Sequence, residues 1–131
     1  MADVIQAERM PATVRVARFV LTLKVAFGIV GLALFGAIIF ASAGVAAILP
    51  LLPQVAVTAL EGWLLSRWMS RRKPVRWGVV AIEVASVGAH LTLVAIDSDF
   101  GWTSLLSLSV LFPLAVVIPL LMPSAGRWFD R

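Results

Sequence analysis

Long apolar stretches alternate with short polar ones along this chain, and the polar ones hold nearly all of its positive charge. Four apolar stretches, at about residues 19–42, 46–68, 77–96 and 102–122, each approach the roughly 20 residues a helix needs to cross a hydrocarbon core. The pattern predicts an all-α integral membrane protein, a four-helix bundle running up-down-up-down as one membrane domain over residues 1–131.

The boundaries are unevenly marked. A polar lead with Asp3, Glu8, Arg9 and a helix-initiating Pro11 precedes Arg15 and Arg18, which mark the first edge. The basic N-terminus, the apolar run and Ala41-Ser42-Ala43 together resemble a signal peptide. The run from Phe19 to Phe40 exceeds a typical signal core, so an uncleaved first helix is expected. No charge occurs from Val25 to Leu60, and this interval must hold the first hairpin. Its turn falls either at Ala43-Gly44 or at Pro50 and Pro53. Arg67, Arg71, Arg72, Lys73 and Arg76 form a central basic loop, and Asp97-Ser98-Asp99-Phe100-Gly101 forms an acidic turn at the other end. Pro113 and Pro119 predict a kink in the fourth span.

Because basic residues collect on the cytoplasmic side of spans, both termini are expected in the cytoplasm, with the protein multi-pass in the cell (inner or plasma) membrane. Trp63, Trp68, Trp77 and Trp128 toward that side, and Trp102 at the other, are placed as an aromatic belt. The five residues of the basic loop, Arg67, Arg71, Arg72, Lys73 and Arg76, are expected to contact anionic lipid headgroups.

Composition strengthens this reading. Hydrophobic residues make up 61% of the chain and charged ones 14%, far from the roughly half-apolar, quarter-charged makeup of soluble domains. The net charge of +4 would point to nucleic acid in a soluble protein. Here the cations flank apolar spans, so the lipid bilayer is the expected partner and nucleic acid is not. The absence of cysteine excludes disulfides, thiolate metal sites and a Cys nucleophile.

Three charges interrupt the spans. Lys24 lies six residues after Arg18, Glu61 six before Arg67 and Glu83 seven after Arg76. Each is then roughly 10 Å above the basic boundary. A charge at mid-span costs about 2.5–3.5 kcal/mol on the insertion scale, so three at one depth are expected to face one another. Arg76, Glu83, His90 and Asp97 recur every seven residues, drifting only about 20° per step. Gln54 precedes Glu61 by seven, with Thr58 one turn away on the same side. Lys24, Gln54, Thr58, Glu61, Glu83, His90 and Asp97 are therefore the candidate buried polar or ion-pathway residues.

Three readings of this layer stand open. Lys24 pairs with one Glu while the other is protonated, and the set fixes helix register. Alternatively Glu83, His90 and Asp97 form a titratable ladder for a proton or cation. A metal held by Glu61, Glu83 and His90 is disfavoured because Glu83 and His90 sit about 10 Å apart on one helix; no metal is assigned. His90 can also be a hydrogen-bonding packing residue, and Ser104, Ser107 and Ser109 are expected as interhelical partners rather than nucleophiles. No P-loop, HExxH, GxSxG or Asp-rich motif occurs. No catalytic residue or cofactor is therefore named, and the reading leans away from an enzyme.

Pro11-Ala12-Thr13-Val14-Arg15-Val16-Ala17-Arg18 and Met122-Pro123-Ser124-Ala125-Gly126-Arg127-Trp128-Phe129 resemble the ends of uncharacterised small four-span integral membrane proteins common in high-GC actinobacteria. That resemblance implies four spans and a similar length, and brings no known activity. Small multidrug transporters also have four short helices and a membrane Glu. Theirs belongs to the first helix, where this chain has Lys24, so no site residue carries over. Two functions are expected: a noncatalytic accessory or assembly subunit of a larger membrane complex, or a homo-oligomeric proton- or cation-linked transporter or channel using Glu61, Glu83 and His90.

Overall fold

A computed structural model describes residues 10–98 and 101–130. The lead residues Asp3, Glu8 and Arg9, and Asp99 and Phe100 of the acidic turn, lie outside the described residues. Among the described residues the chain is all-helical and contains no strand. Three helical segments are long and apolar enough to cross a membrane.

Helix α1 spans Ala12–Ala43. It begins seven residues before the expected span, so Arg15 and Arg18 ride on its first turns. Pro11 precedes it with ψ 147°, extended as a residue at a helix entrance should be. Gly44 ends it at φ 76°, a left-handed angle that glycine adopts without steric penalty. Both candidate positions for the first hairpin are used. The turn is at Gly44, a 3₁₀ helix then runs Val45–Leu51 through Pro50, and α2 (Leu52–Ser66) starts with Pro53 in its first turn.

A second 3₁₀ helix, Trp68–Ser70, leads into Arg71, whose φ of 53° is left-handed without being glycine. Such a conformation costs about 1–2 kcal/mol. Its guanidinium lies 3.7 Å from the centre of the Trp128 ring, a cation–π contact that offsets part of that strain. Helix α3 spans Lys73–Ile96 with Pro74 in its first turn, where the missing N–H leaves no bond unmade.

The expected fourth span is divided. Helix α4 covers only Trp102–Leu105 and α5 covers Leu108–Leu121, with Ser107 extended between them at ψ 154°. The break is at Ser107; Pro113 and Pro119 both sit inside the continuous α5. Its 14 residues extend about 21 Å, so α5 alone falls short of a core roughly 30 Å thick. A short α6, Pro123–Trp128, turns back beneath the bundle.

Helix α5 is the hub, packing against both α1 and α3, while α2 leans on α1 and touches α3 less. Burial is concentrated at one end. Val14, Ala17 and Leu21 of α1, Leu64 and Trp68, Val79 of α3, Val116 and Leu120 of α5, and Trp128 and Phe129 form one core at the basic end. From Ala26 to Val57 no described residue is buried. The helices are packed at the basic end and parted at the other.

Trp68 and Trp128 belong to that core, at 0% and 7% exposure, while Trp63, Trp77 and Trp102 are exposed. Only the latter three are placed as belt residues would be. Trp68 meets Phe129 edge to face at 5.4 Å, a geometry the ring quadrupoles favour.

Candidate functional site

Where the packed end gives way to the parted end, three helices meet through one ammonium. Lys24 Nζ on α1 donates to Glu61 Oε1 on α2 at 2.6 Å and to Glu83 Oε2 on α3 at 2.7 Å. The side chains are 20%, 4% and 0% exposed respectively. Lys24 sits one turn beyond the buried Leu21, Glu61 one turn before Leu64 and Glu83 one turn beyond Val79 and Val80. The apolar core thus forms the floor on which the charges rest. Charge-assisted bonds of this length are the strong kind, and removing one partner from a buried set is far more damaging than never having built it.

The cluster is unbalanced. Two carboxylates share one cation, and Glu83 Oε1 is buried without a hydrogen-bond partner among the described residues. A buried carboxylate oxygen in that state is a natural position for a proton or for a further donor.

Thr58 sits one turn above Glu61 and is 6% exposed. It owes its place to Gly28: a Cβ there would approach Thr58 Oγ1 to 3.1 Å. This close α1–α2 approach needs a residue without a side chain. Gln54 is exposed and its Nε2 donates to Thr58 Oγ1 at a long 3.4 Å.

Above the charge cluster the parted helices leave a cleft of about 540 Å³. Lys24, Gln54 and His90 line it together with apolar residues such as Val57, Leu93 and Phe112. His90 lies beside the break between α4 and α5, its Nε2 3.4 Å from Ser107 Oγ. The Ser107 hydroxyl donates to the Ser104 carbonyl at 2.8 Å. Its one proton is thereby committed, so the imidazole sees a lone pair and Nε2 is assigned as the protonated nitrogen. An arrangement in which His90 acts as base toward Ser107 requires the opposite polarity. Asp97 is exposed at the end of α3 and joins neither the cluster nor His90's contact. Among the described residues no group of three His, Cys, Asp or Glu side chains could hold a metal ion, and Glu61, Glu83 and His90 do not converge.

The basic loop divides by direction. Arg67 and Arg72 are exposed, and Lys73 pairs with Asp130 at 2.5 Å on the surface. Arg71 and Arg76 turn inward. Arg76 Nε donates to the Leu120 carbonyl at 2.7 Å, capping the last turn of α5, where the extended Met122 places its N–H on the Pro119 carbonyl and Pro123, opening α6, has no N–H to offer. Gly126 lies against the guanidinium, and a Cβ there would come into contact with Arg76 Nη1 at 3.4 Å.

These capping and latching contacts, with the Thr13–Ser124 hydroxyl pair at 2.8 Å, tie α6 beneath the bundle. Sequence reasoning missed them. The one available signal was Asp130, an acid following a basic tail with its cation supplied from elsewhere.

The fold and this cluster define an all-helical chain whose three longest helical segments are suited to a membrane and are joined by one Lys/Glu/Glu ion set. Compared with protein-family models, with curated proteins and with solved structures, the chain matches none.

Proposed function

We propose that this chain is a multi-pass integral membrane protein of four spans, running up-down-up-down, with α4 and α5 together making the fourth. Both termini and the basic loop lie at the cytoplasmic face of the cell membrane, where the exposed Arg15, Arg67, Arg72 and Arg127 meet anionic headgroups. The role the geometry supports best is that of a noncatalytic accessory or assembly subunit of a larger membrane complex. The observation that carries it is that Lys24 pairs with both Glu61 and Glu83 and so joins α1, α2 and α3. The cluster thereby serves helix packing, and the parted outer half is left for another polypeptide to complete.

The test is extraction in a mild detergent followed by native mass spectrometry. A fixed-ratio complex with a different polypeptide is expected. A species containing copies of this chain alone would overturn the reading.

A second reading, homo-oligomeric proton- or cation-linked transport, is favoured by one observation: the cleft descends to Lys24, whose ammonium holds Glu83, the acid with an unpartnered buried oxygen. On that reading Glu83→Gln abolishes proton flux in reconstituted vesicles without changing assembly, and flux retained in the variant would sink it.

A further inference from the structure

The outer cleft has a ligand chemistry of its own. Its volume of about 540 Å³ falls within the roughly 300–1,000 Å³ typical of small-molecule sites. Apolar side chains wall it, and Lys24, Gln54 and His90 bring polar atoms to it. Pro50 and Pro113, each inside a helix where it removes an N–H, and Pro53 in the first turn of α2 all border it. Pro113 in particular leaves the carbonyl of Ser109, another lining residue, without its usual helical donor. Irregular backbone at membrane depth is tolerated where it lines a cavity rather than lipid.

The charges behind the cleft decide what it would accept. The Lys24 ammonium has three N–H bonds, and two are taken by Glu61 and Glu83. The third is a donor left over, on a side chain that lines the cleft and is 20% exposed. An anion would approach an ammonium already shared by two carboxylates and meet their repulsion. A cation would meet the ammonium first. A neutral acceptor feels neither penalty and accepts a hydrogen bond from a charged donor, the stronger class of such bonds.

We infer that the outer cleft is a binding site for a neutral, lipid-soluble molecule whose apolar body carries a carbonyl or hydroxyl oxygen, received by the third N–H of Lys24. The site occupies the outer half that the accessory reading gives to a partner polypeptide and the transport reading to an ion path, so either occupant would compete with the neutral molecule for the cleft.

Four probes with matched chains separate the possibilities: 2-undecanone, undecane, decanoate and decylammonium, titrated into the full chain in lipid nanodiscs. A cleft-filling variant, Ala89→Phe, serves as control, because Ala89 lines the cleft on α3 and takes no part in the ion cluster. The expected result is saturable binding of 2-undecanone, about tenfold tighter than the other three as one charged-donor bond requires, and lost in Ala89→Phe. Equal binding of undecane would reduce the site to a slot for acyl chains and overturn the inference. Tighter binding of decanoate or decylammonium would overturn the charge argument. Ketone binding unchanged in Ala89→Phe, or no saturable ketone binding at all, would overturn the location.

Discussion

Lys24 and Glu83 stand 59 residues apart in the chain, yet their side chains meet at 2.7 Å, and the same ammonium holds Glu61 at 2.6 Å. One cation with two anions thus joins α1, α2 and α3 at the upper edge of the only closely packed region among the described residues. Below it the apolar core and the α6 latch close the basic end; above it the helices part around a cleft. Several consequences can be measured.

Gly28 and Thr58 mark a close approach of α1 and α2 just above the cluster. Gly28→Ala brings a methyl group to about 3.1 Å from Thr58 Oγ1 and is expected to destabilise by about 1–3 kcal/mol through overpacking. Thr58→Ala removes the obstructing atoms, so Gly28→Ala made in that background should cost much less. Unfolding free energies of the four chains in bicelles give the coupling. Additive effects would show that the two residues do not share the space assigned to them.

Arg76 caps the end of α5, whereas Arg72, four residues earlier, is exposed. Arg76→Ala is expected to lose about 1.5–3 kcal/mol, the range for a hydrogen bond from a charged group. Arg72→Ala should stay within about 0.5 kcal/mol of the unaltered chain. Amide exchange adds a second readout: protection around residues 120–128 should fall in Arg76→Ala alone. Equal behaviour of the two variants would remove the cap from the account.

The absence of cysteine makes topology simple to map. Ser98→Cys lies at the outer end of α3 and Ser70→Cys in the basic loop, both at exposed positions. In intact cells a membrane-impermeant maleimide should label the Ser98→Cys chain and reach Ser70→Cys only after permeabilisation. The reverse pattern would invert the orientation.

The depth of the charge cluster was legible in the sequence because two regularities fix it: basic residues mark a boundary, and a helix climbs a constant 1.5 Å per residue. Lys24, Glu61 and Glu83, counted from Arg18, Arg67 and Arg76, could be placed at one level before any side chain was seen. The first turn was only half legible: the sequence offered Ala43-Gly44 and the prolines Pro50 and Pro53 alike, and the structure shows the left-handed residue to be Gly44.

What stayed hidden depends on direction rather than position. A tryptophan near a boundary has the same address whether it is exposed, as Trp77 is, or in the core, as Trp68 is. Arg72 and Arg76 are likewise indistinguishable by charge, and only packing turns the second toward Leu120. The helix break at Ser107 was masked by Pro113 and Pro119, stronger breakers in sequence that the structure keeps within α5.

The most direct test of the shared ammonium is a double-mutant cycle between Lys24 and Glu83, using Lys24→Met, Glu83→Gln and the pair, with unfolding free energy measured in bicelles. Lys24→Met strands two carboxylates and is expected to cost about 3–5 kcal/mol. Glu83→Gln leaves a matched Lys24–Glu61 pair and should cost less. The double variant should then recover about 1–3 kcal/mol relative to the sum of the singles, the range for residues in one ionic network. Small and additive losses would contradict the claim that Lys24, Glu61 and Glu83 act as a single cluster holding three helices together.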